Sequence, residues 1–549
     1  MIAHSPALLG CVALLLVPAF GHGREKAPAA AAHGMVASAH PLASRAGVDI
    51  LKAGGNAVDA AAAAAFTLGV VEPYASGIGG GGFIVLYLSG AKKIVAIDAR
   101  ETAPRSAAPE IYRDKSGRID WDSLKTGYRS VAVPGIVAGL ALALEKFGTL
   151  DLARVLAPAI DIAERGFPVT PGLSKTMETF RQKLLRFPEA KKLFLKNGAP
   201  YPAGERIVFT DLGASLTSIA RQGAPAFYTG AIAHSIAEHM KKSRGLITRE
   251  DLSGYQPVFR DPVRGTYRGY EIVSMAPPSS GGTHLIQFLN ILEGYPLRLM
   301  GHNSSATIRL LAETMKRIFA DRARYMGDPD FVKVPVGKLT SKAYAALIRK
   351  EMKITPAISE IPPNRESDQT THLSVADGSG NLVSLTQTIN AFLGSGVVVP
   401  GTGFLLNNEM RDFDPLPGRP NSIQPLKRPV SSMSPTIVLK DGRPFLSIGM
   451  PGSVRIISVL PQILINIIDF GMDLQRAIDA PRIHVDSGEI WMEPRVPERV
   501  RAELAALGYK LVLKKDFDLW FGGAQGIMIR DGQFLGGADP RREGSVAGY

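Results

Sequence analysis

Cysteine is almost absent from this chain of 549 residues, and its scarcity excludes several kinds of chemistry. The one cysteine, Cys11, lies in an apolar run at residues 7–20, which polar residues 24–26 follow. We expect residues 1–23 to be a secretory signal peptide, which predicts a secreted or periplasmic protein. The mature chain would then lack cysteine, so disulfides, thiolate metal sites and a cysteine nucleophile are excluded.

Long apolar runs, basic clusters and several catalytic signatures are also missing. The run at residues 7–20 is shorter than the roughly twenty residues that a spanning helix needs, so we expect no stable membrane span after the signal is removed. The formal charge of +13 is spread along the chain, which argues against nucleic acid as a partner. No Gly-x-Ser-x-Gly and no His-Glu-x-x-His sequence occurs. These absences argue against a serine nucleophile elbow and a helical zinc site, and we expect neither a metal nor a cofactor.

The rest of the composition is that of an ordinary globular protein, with 45% apolar and 21% charged residues. Helical periodicity dominates to about residue 350, and alternating strand patterns follow it, which is typical of an α+β fold. The alanine-rich residues 27–32 are interpreted as a linker. A Gly-rich stretch at residues 76–83 has a helix before it and a strand after it, the reverse of a dinucleotide-binding loop. Its glycines are interpreted as places where backbone approaches backbone.

Residues 370–388 predict a β-hairpin. Apolar and polar residues alternate on both sides of a turn cluster at residues 377–381. If Ala376 pairs with Leu382, the antiparallel register places Thr388 opposite Thr370 on the same face of the sheet. Two hydroxyl groups would then meet.

A turn before an apolar helix is a second candidate site. Pro-Gly-Ser at residues 451–453 is predicted to open a helix over residues 454–469. The backbone N–H groups of Gly452 and Ser453 would sit at its N-terminus, where unpaired donors and the helix dipole favour negative charge. Such a position suits an oxyanion hole.

The order of the short motifs resembles the γ-glutamyltranspeptidase (glutathione hydrolase) family of N-terminal-nucleophile hydrolases, from about residue 34 to residue 549. The resemblance implies an αββα sandwich, with two stacked antiparallel sheets between helical layers. It also implies that the chain cuts itself between Gln369 and Thr370, after an accessible polar segment at residues 356–368. A large subunit, residues 24–369, and a small subunit, residues 370–549, would remain one folded unit. The motifs that carry the resemblance lie at residues 99–104, 368–377, 390, 407–413, 431–435 and 451–453.

The resemblance also implies catalytic roles. Thr370 would be the nucleophile and its freed α-amine the base, while Thr388 would orient the Thr370 hydroxyl. The amides of Gly452 and Ser453 would hold the oxyanion, although the family usually has a second glycine where Ser453 stands. His372 shares the sheet face of Thr370 and is interpreted as a packing residue.

A receptor for the γ-glutamyl group is implied in the same way. A guanidinium can hold a carboxylate through two parallel hydrogen bonds, and carboxylates can receive an ammonium group. The resemblance assigns the α-carboxylate to Arg100, the α-ammonium to Glu409 and Asp412, and further hydrogen bonds to Asn390, Ser431, Ser432 and Gly452. Only residues 413–426 occupy the place of a long insert in members with a lid, so we expect an open pocket like that of lidless bacterial members.

The implied function is hydrolysis or transpeptidation of glutathione and other γ-glutamyl amides, with water, an amino acid or a peptide as acceptor. The nearest alternative is a related acylase, such as a glutaryl or cephalosporin acylase, or a poly-γ-glutamate depolymerase. Glu409 and Asp412 would have no purpose for a glutaryl group, which lacks an amine. A secreted solute-binding protein is a further alternative, and such a protein need not cut itself.

Overall fold

The computed structural model of the protein describes residues 28–355 and 369–549. The predicted signal peptide and the polar segment at residues 356–368 lie outside the described residues. Within those two ranges, no helix combines the length and apolar character needed to cross a membrane.

Two antiparallel sheets of seven strands each form the centre of the fold. In spatial order, the first sheet consists of Ala29–Ala31, Gln533–Ala538, Gln525–Arg530, Arg443–Gly449, Thr436–Lys440, Tyr270–Ser274 and Val263–Tyr267. The second consists of Ser545–Gly548, Gly34–Ser38, Thr371–Asp377, Leu382–Thr388, Gly81–Leu88, Lys93–Ala99 and Val258–Arg260. The shorter strands are Ile483–Asp486, Glu489–Met492 and Leu511–Leu513 in one small sheet, and the pairs Phe167–Pro168 with Arg206–Ile207 and Leu195–Lys196 with Ala199–Pro200.

Helices cover the outer face of each sheet. The α-helices are Pro41–Lys52, Ala57–Val71, Trp121–Lys125, Ile136–Phe147, Leu152–Arg165, Pro171–Thr179, Arg181–Leu185, Pro188–Phe194, Thr210–Gln222, Pro225–Tyr228, Ala231–Lys242, Arg249–Ser253, Gly281–Leu292, Leu297–Met300, Ser305–Tyr325, Val336–Leu339, Lys342–Glu351, Arg455–Ile468, Leu474–Asp479 and Glu498–Ala506. The 3-10 helices are Pro109–Tyr112, Tyr128–Ser130, Glu409–Asp412, Leu519–Phe521 and Pro540–Arg542.

The layers follow from which elements touch. Ala57–Val71 packs on the second sheet, Gly281–Leu292 packs on the first, and the inner faces of the two sheets pack against each other. Each sheet therefore buries both faces, one against helices and one against the other sheet. The predicted αββα sandwich is confirmed.

The Ala57–Val71 helix lies directly behind the central hairpin, and its sequence explains how close it comes. Its residues are all buried, and its run of alanines lets it approach the Thr371–Asp377 strand. Its first turn is closed by a capping box, in which Asn56 accepts the Asp59 N–H and the Asp59 carboxylate accepts the Asn56 N–H at 2.8 Å. The helix is thus a fixed backing for the strands that carry the site.

The hairpin has the predicted register. Ala376 pairs with Leu382, and Thr371 pairs with Gln387. The Asp377 carboxylate closes the loop by accepting the N–H groups of Ser379 and Asn381, each at 3.0 Å. This local turn chemistry sets the pairing of the two strands.

Two predictions about local structure need correction. The supposed linker contains an edge strand, Ala29–Ala31, because residues 534–536 offer it a pairing partner. The region from residue 133 to about residue 350, interpreted as mostly helical, also supplies three strands to the two large sheets, namely Val258–Arg260, Val263–Tyr267 and Tyr270–Ser274. One of them, Tyr270–Ser274, pairs with Thr436–Lys440, a partner far away in the sequence. The predicted apolar helix over residues 454–469 is confirmed as Arg455–Ile468, within one residue of the expected bounds at each end.

Candidate active site

Thr370 and Thr388 meet at the end of the central hairpin. Both are buried, and their hydroxyl oxygens lie 3.3 Å apart. The carbonyl of Gln369 accepts a hydrogen bond from each of them, at 2.6 Å from Thr370 and 2.8 Å from Thr388. The Thr388 oxygen also accepts the Asn390 N–H at 2.8 Å, which leaves its own proton directed at the carbonyl. The Gln369 carbonyl is therefore polarised by two threonine hydroxyls.

The Gly-rich stretch supports this geometry. A Cβ atom at Gly80 would lie 1.9 Å from the Thr388 carbonyl oxygen, and one at Gly79 would lie 2.2 Å from the Leu405 carbonyl oxygen. Only glycine permits such close approach of two backbones. The interpretation that backbone approaches backbone here is confirmed.

Arg100 lies at the centre of the charged part of the site. It is 1% exposed, and its Nη2 atom lies 2.7 Å from Asp412 Oδ2 and 2.9 Å from Glu409 Oε2. The Asn390 amide donates to Glu409 at 3.0 Å and to Asp412 at 2.9 Å. The groups predicted to hold a zwitterion are thus brought together, and here they satisfy one another. A ligand with one carboxylate and one ammonium group could exchange partners with this ion pair.

Acidic groups outnumber the guanidinium at this place. Burial raises the pKa of Glu409 well above its ordinary value, and the nearby carboxylates of Glu101 and Asp412 oppose its ionisation further, against the lowering effect of Arg100. Burial likewise raises the pKa of Glu101 to about 8. A cation that entered the site would relieve this crowding of negative charge.

Ser431 and Ser432 line the same cleft and are held from behind by the loop at residues 277–282. The Ser431 carbonyl accepts both the N–H and the hydroxyl of Ser280, each at 2.7 Å. Arg322 in turn donates to the Ser280 hydroxyl at 2.9 Å. The loop therefore supports the serine pair from behind.

The turn at residues 451–453 contributes Ser453 to the same cleft as Thr370, but its amides do not lie in the first turn of the helix. Gly452 has φ 138° and Ser453 has φ 59°, so neither is helical and both precede the first turn of the helix. Ser453 occupies the left-handed region, which costs a residue with a Cβ roughly 1 kcal/mol relative to glycine. The helix start is within one residue of the prediction, and the correction concerns the Gly452 and Ser453 amides, which precede the N-cap residue Val454. The two amides belong to a tight turn before the helix.

These residues line one cleft of about 230 Å³. Among the described residues that line it, none comes from residues 413–426. Met433 and Ile456 add an apolar wall that sequence reasoning missed. Gly452 is the one predicted site residue outside the lining set, which is Arg100, Gln369, Thr370, Thr388, Asn390, Glu409, Asp412, Ser431, Ser432, Met433, Ser453 and Ile456.

His372 lies two residues after Thr370 along the chain and is fully buried between the sheets. Its Nδ1 lies 2.8 Å from the Thr386 hydroxyl and its Nε2 lies 3.2 Å from the Ser374 hydroxyl. A Cβ at Gly449 would lie 2.4 Å from the ring, and burial lowers the pKa of His372 to about 3. This environment agrees with a packing role.

One contact at the site had no sequence signal. Arg542 donates to the side-chain oxygen of Gln369 at 2.5 Å and to the Thr370 carbonyl at 3.4 Å. The two partners of the first bond are 173 residues apart, and no local pattern connects them.

Comparison with known proteins supports a common origin for this arrangement. The family model described as Gamma-glutamyltranspeptidase matches residues 43–549. The "Glutathione hydrolase proenzyme" of Escherichia coli (strain K12) is 43% identical over 551 residues, covering 95% of this chain and 93% of that protein. The "Acylase ACY 1 proenzyme" of Pseudomonas sp. (strain SE83) is 44% identical over 533 residues, covering 95% of this chain and 94% of its own. The crystal structure of cephalosporin acylase from Bacillus halodurans superposes with a TM-score of 0.88 at 32% identity, covering 98% of this chain and 99% of that one.

Proposed function

The chain belongs to the γ-glutamyltranspeptidase family, and from this premise we propose that it is a proenzyme that cuts itself before Thr370 and then transfers or hydrolyses γ-glutamyl groups. The observation that carries the proposal is the Gln369 carbonyl held between two threonine hydroxyls. The name of the Escherichia coli relative, a glutathione hydrolase proenzyme, agrees with it.

Self-cleavage begins at the Thr370 hydroxyl. Its oxygen attacks the Gln369 carbonyl carbon, and the Thr388 hydroxyl stabilises the negative charge that develops on the carbonyl oxygen. The C–N bond breaks as the proton of the Thr370 hydroxyl passes to the departing nitrogen, and the acyl group of Gln369 remains on the Thr370 oxygen as an ester. Water hydrolyses the ester, which leaves a carboxylate on Gln369 and a free α-amine on Thr370. Residues 24–369 and 370–549 become the large and small subunits of one folded body.

The mature site uses the amine that cleavage has released. An α-amine has a pKa near roughly 8, so it can accept the Thr370 hydroxyl proton without a histidine. The hydroxyl oxygen attacks the γ-carbonyl, and the Gly452 and Ser453 amides receive the oxyanion. The leaving amine takes the proton, and a γ-glutamyl ester remains on Thr370. Water then releases glutamate, or an amino acid or peptide amine takes the acyl group.

The charged part of the site supports a substrate with an α-amino-acid end. Arg100 would take the α-carboxylate, while Glu409 and Asp412 would take the α-ammonium with help from Asn390. Glutathione and other γ-glutamyl amides carry this zwitterion, so they are the proposed donors. The proposed location is secreted or periplasmic, after removal of residues 1–23.

A second candidate is an acylase for glutaryl-type substrates. The similarity to the Pseudomonas acylase, at 44% identity, favours it. The two candidates differ at one point, because the ammonium-binding pair of Glu409 and Asp412 has no partner in a glutaryl group. Parallel assays with γ-glutamyl and glutaryl p-nitroanilides separate them, and we expect turnover of the γ-glutamyl compound to dominate.

The decisive experiment compares the parent protein with Thr370→Ala. We expect the parent to run as two bands on a denaturing gel, with the smaller fragment beginning at Thr370, and to hydrolyse the γ-glutamyl anilide. Thr370→Ala should remain a single inactive chain. Thr371→Ser, which changes the next residue but keeps its hydroxyl, is the matched control and should be cut and active. Cleavage and turnover by Thr370→Ala would disprove the assignment.

A further inference from the structure

We propose that Arg542 is a positioning residue for self-cleavage, which recognises the side chain of Gln369 and so selects the residue before the cut. The inference rests on the proposed cleavage between Gln369 and Thr370. Arg542 does not touch the reacting atoms, so it acts through the residue that carries the carbonyl.

The contact is buried and charge-assisted. Gln369 is 1% exposed, Thr370 5% and Arg542 9%. The guanidinium donates to the Gln369 side-chain oxygen at 2.5 Å and approaches the Thr370 carbonyl at 3.4 Å. A hydrogen bond with one ionised partner in a dry environment is stronger than a neutral one, and its loss leaves a buried acceptor unsatisfied. The Arg542 guanidinium thus hydrogen-bonds to the residues on both sides of the bond to be cut.

The arginine is held from both sides of its own position. The preceding Arg541 forms ion pairs with Glu493 at 2.7 Å and Asp539 at 3.1 Å. The following Glu543 accepts the Gly172 N–H at 2.9 Å. Because both neighbours are fixed, the Arg542 side chain leaves the backbone from a defined point.

Space for the side chain is provided by Gly523. A Cβ at that position would lie 2.8 Å from both Cβ and Cγ of Arg542 and 3.1 Å from its Cδ. Gly523 does not have a positive φ, so alanine can adopt its backbone conformation. Gly523→Ala therefore displaces the arginine without removing its charge.

A buried carboxyl group lies near the guanidinium. Glu72 is buried at the end of the Ala57–Val71 helix and feels the charges of Arg542 and Glu543, with the Tyr74 hydroxyl nearby. Burial raises the pKa of Glu72, and Arg542 opposes this rise. The cation is thus embedded in a buried polar cluster around the bond, and not in solvent.

The chemical benefit is orientation. Attack requires the Thr370 oxygen to meet the face of the Gln369 carbonyl. The reaction is therefore faster when rotation about the Gln369 backbone bonds is restrained. The Gln369 side chain, anchored at its far end, restrains that rotation. A loss of 1.5–3 kcal/mol in this contact corresponds to a slowing of about 10- to 100-fold.

The test measures the rate at which freshly made precursor converts into two fragments. We expect Arg542→Gln, Gly523→Ala and Gln369→Ala each to slow conversion by about 10- to 100-fold, and Arg542→Lys to restore part of the rate. The double variant Arg542→Gln/Gln369→Ala should be no slower than either single one. A purely structural role for Arg542 would instead give additive losses in the double variant.

Arg530→Gln, at an exposed arginine on the Gln525–Arg530 strand, is the control and should mature at the parent rate. Maturation of Arg542→Gln at the parent rate would overturn the proposal, as would fully additive losses in the double variant. If the parent itself is never cut before Thr370, the proposed function fails. If the parent is cut there and Arg542 has no effect, only this inference fails.

Discussion

Replacing Thr388 by valine removes one hydroxyl and keeps the shape of the side chain. That hydroxyl donates to the Gln369 carbonyl at 2.8 Å and accepts the Asn390 N–H at 2.8 Å, and Thr388 itself is buried. The perturbation therefore acts on the carbonyl oxygen at the moment it becomes negative.

The size of the effect follows from the role of the donor. Removing one hydrogen-bond donor from an oxyanion site slows reactions by about 100- to 1000-fold. The Asn390 N–H also loses its acceptor, an effect of about 1–3 kcal/mol on folding. We therefore expect Thr388→Val to cut itself 100- to 1000-fold more slowly than the parent, by roughly the factor given for an oxyanion donor. The loss of folding free energy, about 1–3 kcal/mol, should be smaller than the rise in the activation free energy of self-cleavage.

The assay is a time course of precursor and fragments on a denaturing gel, followed by mass spectrometry of the fragments. Thr388→Ser keeps the hydroxyl and should cut itself close to the parent rate. The reasoning is refuted if Thr388→Val matures within about twofold of the parent, because the hydroxyl would then contribute nothing to the oxyanion.

Two further predictions concern charge. Asp412→Asn keeps two hydrogen-bonding atoms but removes a charge from the ammonium site, so we expect KM for a γ-glutamyl anilide to rise about 10- to 100-fold while turnover of a glutaryl anilide changes little. An equal loss for both substrates would contradict an ammonium site. Burial raises the pKa of Glu72 from 4.5 to about 7, so the stability contributed by its neutral form is present below pH 4.5 and is lost as the pH rises through 7. The free energy of unfolding of Glu72→Gln should therefore equal that of the parent near pH 4.5 and exceed it at pH 8 by up to about 3 kcal/mol. Melting curves of both chains in the uncut Thr370→Ala background measure this, and a pH-independent difference would count against it.

Much of the site could be predicted from the sequence because its elements are local. The turn chemistry of Asp377 sets the hairpin register, and that register alone brings Thr370 and Thr388 together. The same holds for the capping box of the Ala57–Val71 helix. In each case the interacting residues lie within one hairpin or one helical turn, so a short stretch of sequence contains both partners.

The features that only the tertiary structure decided are contacts between residues distant along the chain. The strand Ala29–Ala31 forms because residues 534–536 present a free sheet edge, and a run of alanines contains no sign of that. The closed ion pair of Arg100 with Asp412 depends on burial, which removes water as the competing partner. The sequence by itself thus determined the hairpin and the meeting of the Thr370 and Thr388 hydroxyls. The hydrogen bond of Arg542 to Gln369 could be found only in the folded chain. The two residues are 173 positions apart, and only tertiary packing brings their side chains to 2.5 Å.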